Sequence, residues 1–547
     1  MGKYFNPGCA NFVEALNTNI YVDKTDMIAY VNSVVRTKQK YMCVSRPRRF
    51  GKTTAADMLA AYYGKGDSRK LFADRKLSGC DNWDKFLNQF DVIRVVMTDF
   101  IKENKDIRSS LEKMSERILE ELSELYPDVR YDADDLFYSM DKFCRKSGTQ
   151  FVIIIDEWDV AFRACKEDKD GQKYYLDFLR DWLKDQEYVA LAYMTGILPI
   201  KKYGQHSALN MFDEYSFITP MQLVEYTGFT EDEVREKCEE YGRDYGKIKE
   251  WYDGYDVTDI IPPDPNYAIQ KATGKELKPK HYSIYSPLSV VKAISTGTIQ
   301  NYWNKTETYE ALSEYIRMDF DGLKESVALL MDGGRLKVNI SKYQNDMTSF
   351  GSSNDVLVML IHLGYLGYDT ETREVFIPNR EILDEFRNST ESAEWIETFT
   401  SFKKSQKLLD ATWDCNEEKV AELLEWFHDS AGNKTYNSEA ALSYAIQMAY
   451  YAGQKYYTTI QELDSGKGYA DLVYLPSPGH PEKPVLLVEL KVNKNVKTAA
   501  DQIKSRNYPQ KLEHYKGNIL LISINYNKDA DAGDPEYKHH SCRIERL

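Results

Sequence analysis

Ser45-Arg46-Pro47-Arg48-Arg49-Phe50-Gly51-Lys52-Thr53-Thr54 directly follows the apolar run Tyr41-Met42-Cys43-Val44. A short buried strand, a tight loop and Gly-Lys-Thr at a helix start form a known layout for holding phosphates. Successive backbone N–H groups surround the β- and γ-phosphates, the lysine neutralises them, and a hydroxyl ligates Mg²⁺. Gly51, Lys52 and Thr53 keep that ending, whereas Arg46 stands where the pattern GxxxxGK[ST] has its first glycine. Taken alone, the segment reads equally as a basic turn ahead of a helix over 55–63.

A second stretch about a hundred residues on weighs against that plain reading: Phe-Val-Ile-Ile-Ile-Asp-Glu-Trp-Asp at 151–159. Five apolar, mostly β-branched residues ending in adjacent carboxylates suit a parallel strand buried on both faces that opens into a nucleotide site. Asp156 would support the Mg²⁺ shell and Glu157 would orient or deprotonate the attacking water. A third apolar run, 188–194, ends in Thr195-Gly196, which places a hydroxyl where it could sense the γ-phosphate. A core strand ending in solvated acids, and an ordinary Thr-Gly strand end, are the competing readings.

The other candidate chemistry lies at 468–492, Gly-Tyr-Ala-Asp-Leu-Val-Tyr-Leu, a turn rich in Pro and Gly, then Val-Leu-Leu-Val-Glu-Leu-Lys-Val. If the hairpin is symmetric about His480, Asp471 lies opposite Glu489, and period 2 puts Lys491 on the face of Glu489. Two hard oxygen ligands for a cation plus an ammonium suit Mg²⁺-dependent phosphodiester hydrolysis. An exposed Glu-Lys pair on a surface hairpin is the alternative, but carboxylates do not sit in so apolar a strand without a partner. Asn437-Ser438 would cap a helix over 439–451 carrying Glu439, and a helix over 498–506 would carry Gln502. Residues 484–520 hold seven Lys or Arg against three acids inside a chain of net charge −15, a local strip suited to a phosphate backbone or to a solvated helix face.

The elements that must position these residues divide the 547-residue chain into three. Over 1–245, short apolar strands alternate with amphipathic helices, the pattern of a three-layer α/β domain with a mostly parallel sheet. Residues 246–395 carry Pro-rich breaks and shorter helices and read as a helical or winged-helix-like connector. Residues 396–547 form a last α/β domain. The composition, 42% hydrophobic and 29% charged, supports sizeable cores. Eight scattered cysteines without CxxC pairs read as reduced thiols, and neither a signal peptide nor a membrane-spanning run is evident, so a cytoplasmic protein without a membrane partner is expected.

Together these residues resemble a family of bacterial proteins that join an AAA-ATPase-like P-loop domain to a C-terminal PD-(D/E)XK nuclease-superfamily domain with a restriction-endonuclease-like α/β fold. Tyr21-Val22-Asp23-Lys24-Thr25, Arg46 to Thr53, Ile154 to Asp159, Thr195-Gly196-Ile197-Leu198 and Trp251-Tyr252-Asp253-Gly254-Tyr255 look like its ATPase signatures, and Arg for the first glycine is usual there. The resemblance implies ATP contacts from Arg46, Pro47, Arg48, Arg49, Phe50, Gly51, Lys52, Thr53, Thr54, Asp156 and Thr195, with Glu157 catalytic. It implies Mg²⁺, for which Mn²⁺ can substitute, on Thr53 with Asp156 and on Asp471 with Glu489, assisted by Lys491, Glu439 and Gln502. The expected function is an ATP-regulated or ATP-driven endonuclease acting on nucleic acid, DNA ahead of RNA, in defence or mobile-element biology, with a second copy of the chain as a further expected partner in a homo-oligomer. The alternative is a nucleotide switch whose C-terminal domain binds nucleic acid or protein without cleaving.

Overall fold

The structure, a computed structural model, describes residues 2–102, 106–200, 208–259, 280–303, 308–318, 320, 322–341, 350–391, 393–431, 439–464, 469–477, 479–492, 515, 517–527 and 539–546. The chain falls into two compact units, Met1–Tyr315 with Lys337–Phe386, and Ile316–Leu336 with Arg387–Leu547. The stretch 246–395 is thus divided between them. No helix among the described residues is long and apolar enough to cross a membrane.

The first unit is organised by a five-stranded, all-parallel sheet of β1 (Tyr41–Ser45), β2 (Asp91–Val96), β3 (Phe151–Asp156), β4 (Val189–Gly196) and β5 (Asp213–Tyr215). Their order is β2-β3-β4-β1-β5. In β3, Val152 and Ile154 join the core built around helix Lys52–Tyr63, and Phe151, Ile153 and Ile155 are equally buried. Alternate side chains point to opposite faces, so such a strand must be apolar throughout. Polar groups are confined to its end. Helices Ile107–Leu125, Leu136–Ser147 and Lys169–Leu183 begin at Asp106, Asp135 and Asp168, whose carboxylates accept from backbone N–H groups of the first turn.

Beyond this sheet, helices Glu231–Glu240, Tyr245–Tyr252 and Pro287–Thr296 share a core with a small antiparallel sheet of Phe229–Thr230, Lys280–Tyr285 and Tyr255–Asp259. The Trp-Tyr-Asp-Gly-Tyr motif sits here and reaches the phosphate-loop segment: the Tyr255 ring meets those of Phe50 and Phe217 edge-on, with centroids 5.7 Å and 5.3 Å away. Its glycine is required twice over. Gly254 has φ +124°, and a Cβ there would lie 1.8 Å from the Pro378 carbonyl oxygen.

The second unit carries a mixed sheet in the spatial order Tyr457–Asp464, Tyr469–Pro476, Val485–Val492, Ile519–Tyr526, His540–Arg546. Only the pairing of Val485–Val492 with Ile519–Tyr526 is parallel. Helices Ala393–Trp413, Glu417–Ala431 and Glu439–Ala449 cover one face, packing Leu408, Leu423 and Ile446 on Leu486, Val488 and Ile522. Val485, Leu487 and Leu521 form a separate apolar cluster on the other face. The helix read over 55–63 in fact begins at Lys52.

Replacing Gly254 with Ala combines left-handed backbone strain with overlap against a backbone carbonyl. We expect a loss on the order of 3 kcal/mol or more, read as a lowered melting temperature, and an unchanged melting temperature would contradict the packing described.

Candidate functional site

The loop after β1 is shaped by two residues in the left-handed region, Arg49 at φ 69° and Gly51 at φ 85°, and Gly51 is the N-cap of helix Lys52–Tyr63. A helix start leaves backbone N–H groups without intrahelical acceptors, and its dipole favours anions. Lys52 is buried, and its Nζ donates to the carbonyls of Arg46 and Pro47, both at 2.9 Å. Burial pushes its pKa down to about 8, against the opposing pull of Glu157, Asp159 and Asp156. Thr53 is exposed one residue on. Arg48, Arg49, Gly51, Lys52, Thr53 and Thr54 line a cleft of about 770 Å³ together with Thr98, Glu157, Arg163 and residues of helix Pro287–Thr296. Beside it, a smaller apolar pocket of about 200 Å³ is lined by Tyr21, Val22, Phe50, Thr54, Met58 and neighbouring residues.

Two of the expected nucleotide contacts have other duties. The guanidinium of Arg46 is buried and donates through Nη1 to the carbonyls of Ser45 at 2.9 Å and Tyr215 at 2.6 Å, tying the loop to edge strand β5. Burial lowers its pKa to about 9. Its side chain therefore faces the sheet edge, where a glycine could make no such tie. The Phe50 ring is buried against Phe217 and Tyr255, and its carbonyl accepts from Gly228 N at 3.0 Å.

Because β4 lies between β1 and β3, Thr195 sits beside both the loop and the acids. Val44 pairs with Thr195 across one edge and Ile155 with Met194 across the other. The Thr195 hydroxyl donates to Asp156 Oδ1, which also accepts from Glu157 N at 3.0 Å. Arg94 of β2 places Nη2 2.8 Å from Asp57 and 3.8 Å from Asp156, linking the phosphate-loop helix to the acid. Glu157 takes the uncommon φ of 56° and is ion-paired to Arg163, whose Nε is 3.3 Å from Asp159. Asp159 is buried, and its Oδ2 accepts from Ile197 N at 3.1 Å and Leu198 N at 3.0 Å. A Cβ on Gly196 would lie 2.6 Å from the Trp158 ring. The last two residues of Asp-Glu-Trp-Asp thus fix the Thr-Gly-Ile-Leu turn, and with it Thr195. Arg94, Asp57 and Arg163 were missed by sequence reasoning; only the i,i+4 spacing of Asp159 and Arg163 gave a signal.

In the second unit the antiparallel register pairs Leu472 with Val488, Val473 with Leu487 and Tyr474 with Leu486. Extended by one residue, that register sets Asp471 opposite Glu489. Glu489 is buried, and Lys491 Nζ lies 2.9 Å from its Oε1. Both share the strand face of Val485 and Leu487. On its other side Glu489 pairs with Ser523 and Lys491 with Asn525. An all-oxygen set of carboxylates suits a hard divalent cation at this position, as Thr53 with Asp156 does at the loop. Glu439 is the first residue of helix Glu439–Ala449. The side chains of Asp471 and Glu439, the cap at 437–438, and Gln502 with its helix lie outside what the structure describes.

Residues 7–205 match the AAA-ATPase-like family, described as a predicted AAA-ATPase, and residues 442–532 match the PD-(D/E)XK nuclease superfamily. A curated relative, an uncharacterised protein in the vnfD 5' region of Azotobacter chroococcum, is 24% identical over 285 residues. That alignment spans 50% of this chain and 52% of the relative, so the chain covers about half the relative's length. Among solved structures, the Aeropyrum pernix ORC2 protein in ADPNP–ADP complexes is 12% identical, with 67% of this chain and 91% of that chain covered and a TM-score of 0.27. The Aeropyrum pernix ORC1 protein in complex with DNA is 13% identical, with 73% and 99% covered and a TM-score of 0.24. Superpositions that loose carry no argument about this chain.

Because burial holds Lys52 at about 8, its ammonium is present below that pH and is lost as pH rises through it. A triphosphate held by Lys52 would need the charged form, so above about pH 8 its binding would take up a proton and affinity would fall, approaching tenfold per pH unit. Calorimetric titration with a non-hydrolysable ATP analogue should show affinity level to about pH 7.5 and declining above it, with Lys52→Ala weak and without that decline. Equal affinity for the wild type up to about pH 9.5 would contradict the assignment.

Proposed function

Since the chain joins an AAA-ATPase-like domain to a C-terminal PD-(D/E)XK nuclease-superfamily domain, we propose that it binds and hydrolyses ATP in the first unit and cleaves a nucleic-acid backbone, DNA ahead of RNA, in the second. The observation that carries the nuclease half is Glu489, a buried acid in an otherwise apolar strand, paired to Lys491 and set by register opposite Asp471. Burying such a carboxylate is costly unless cations compensate it. The match of this region to the PD-(D/E)XK nuclease superfamily supports reading that cost as one sustained for metal-assisted hydrolysis.

At the loop, backbone N–H groups at the helix start and Lys52 hold the β- and γ-phosphates, with Thr53 and Asp156 as the oxygen ligands for Mg²⁺. The apolar pocket of Tyr21, Phe50 and Met58 takes the nucleobase. Glu157 accepts the proton of the attacking water, which requires it to turn from Arg163 toward the cleft, while Thr195 and Asp156 share a hydrogen bond that ties γ-phosphate position to the acid. In the second unit Asp471 and Glu489 are the metal ligands, and Lys491 orients water or neutralises charge developing on the phosphate. A bound Mg²⁺, or Mn²⁺ in its place, would polarise the scissile phosphate and lower the pKa of water. Glu439 and Gln502 are proposed as assisting groups. The ATPase unit regulates or drives the cleavage, in defence or mobile-element biology.

Purified protein incubated with plasmid DNA, and separately with RNA, in Mg²⁺ with and without ATP should give DNA cleavage. Lys491→Ala should reduce the rate on the order of 10²–10³-fold, and Lys52→Ala should abolish ATP hydrolysis and its effect on cleavage. Binding without cleavage of either polymer in every nucleotide state would favour the non-cleaving switch.

A further inference from the structure

In the second unit, Glu425, His428 and His539 place one potential ligand atom each within 4.8 Å of one another. Glu425 and His428 are three apart in helix Glu417–Ala431 and so share a helix face. His539 and His540 stand at the start of the last strand, His540–Arg546. This strand packs against the same helix, where Glu417 also accepts from Ile544 N at 2.8 Å. His428 and His540 are buried, and the side chains of Glu425 and His539 are each 16% exposed. The rings of His428 and His539 lie 4.7 Å apart, centroid to centroid.

We propose that this cluster is a structural site for a zinc-class divalent cation, with Glu425, His428 and His539 as ligands and water in the fourth position. Imidazole nitrogen with one carboxylate is a donor set suited to Zn²⁺ and unlike the all-oxygen sets of the other two sites. The carboxylate is already oriented. Its Oε2 is held by the His540 backbone N–H at 3.2 Å and the His540 Nδ1 at 2.9 Å, which leaves Oε1 to face His539. Oε1 and the His539 Nδ1 are 2.6 Å apart. Around a tetrahedral ion with bonds near 2.0 Å that separation opens to about 3.3 Å, a small rotation of the His539 ring.

The cation would staple the helix to the edge strand of the nuclease-superfamily sheet, with no part in hydrolysis. The inference does not depend on the nuclease reading.

Full-length protein stripped with a chelator and titrated with Zn²⁺ against a competing chromophoric chelator tests the site. Wild type should take up one tightly bound ion and melt at higher temperature with it; with Co²⁺ it should give the strong visible bands of a tetrahedral site. His539→Ala and Glu425→Gln should each weaken uptake about a hundredfold or more, while Glu489→Gln, altered only at the oxygen site, should retain it. In case the variants do not fold, carbethoxylation of wild-type histidines mapped by mass spectrometry should show His539 protected by Zn²⁺. Failure of wild type to bind Zn²⁺ tightly, uptake lost in Glu489→Gln but kept in His539→Ala, or no protection of His539 would each overturn the proposal and leave a hydrogen-bonded cluster only.

Discussion

A parallel sheet covered on both faces can present charge only at the ends of its strands, and the first unit is arranged around that constraint. β3 runs through five fully buried apolar residues before Asp156, which is itself almost wholly buried. An isolated ion there would cost several kcal/mol. It is met by the Thr195 hydroxyl, the Glu157 backbone N–H and, further off, Arg94. Lys52, also buried, is met by two loop carbonyls. Asp156 is thus held by groups from two neighbouring strands and Lys52 by its own loop, so that the loop, the acids and the threonine are tied together at this edge.

The sheet order follows from the same need. Were β1 and β3 neighbours, the Thr195 hydroxyl could not lie between the phosphate loop and the acid. With β4 interposed, Thr195 beside the loop is one hydrogen bond from Asp156, and Glu157 next to it is clamped by Arg163 in a backbone conformation that ordinary residues avoid. The same logic holds in the second unit on a smaller scale. Glu489 and Lys491 sit at alternate positions of a buried strand, and their pairing satisfies in part a carboxylate that the surrounding Val485, Leu487 and Leu490 cannot.

Much of this was legible in the sequence, because β3, β4 and the Gly-Lys-Thr helix start are strong local patterns: continuous apolar runs broken by specific polar residues. The hairpin register could be read as well, since a symmetric turn about His480 fixes which residues oppose each other. What could not be read were partners set by topology. Arg46 looked like a phosphate ligand because nothing local shows that β5 lies beside β1, and Tyr215 supplies its acceptor from far along the chain. Arg94 sits on a strand whose neighbours are known only once the order is. The histidine cluster hid for a similar reason: Glu425 and His428 show helical spacing in a helix that otherwise reads as core, and His539 reaches them from more than a hundred residues away.

The central claim is that one chain carries two separate oxygen-donor metal sites, one serving a nucleotide and one serving a polymer backbone. Anomalous diffraction from crystals grown with Mn²⁺ and a non-hydrolysable ATP analogue tests it most directly. The account predicts one Mn²⁺ peak between Thr53, Asp156 and the analogue's phosphates, and another between Asp471 and Glu489 with the Lys491 ammonium displaced from the carboxylate. Nucleotide bound at the loop with no Mn²⁺ at Glu489, and its pairing with Lys491 intact, would contradict it.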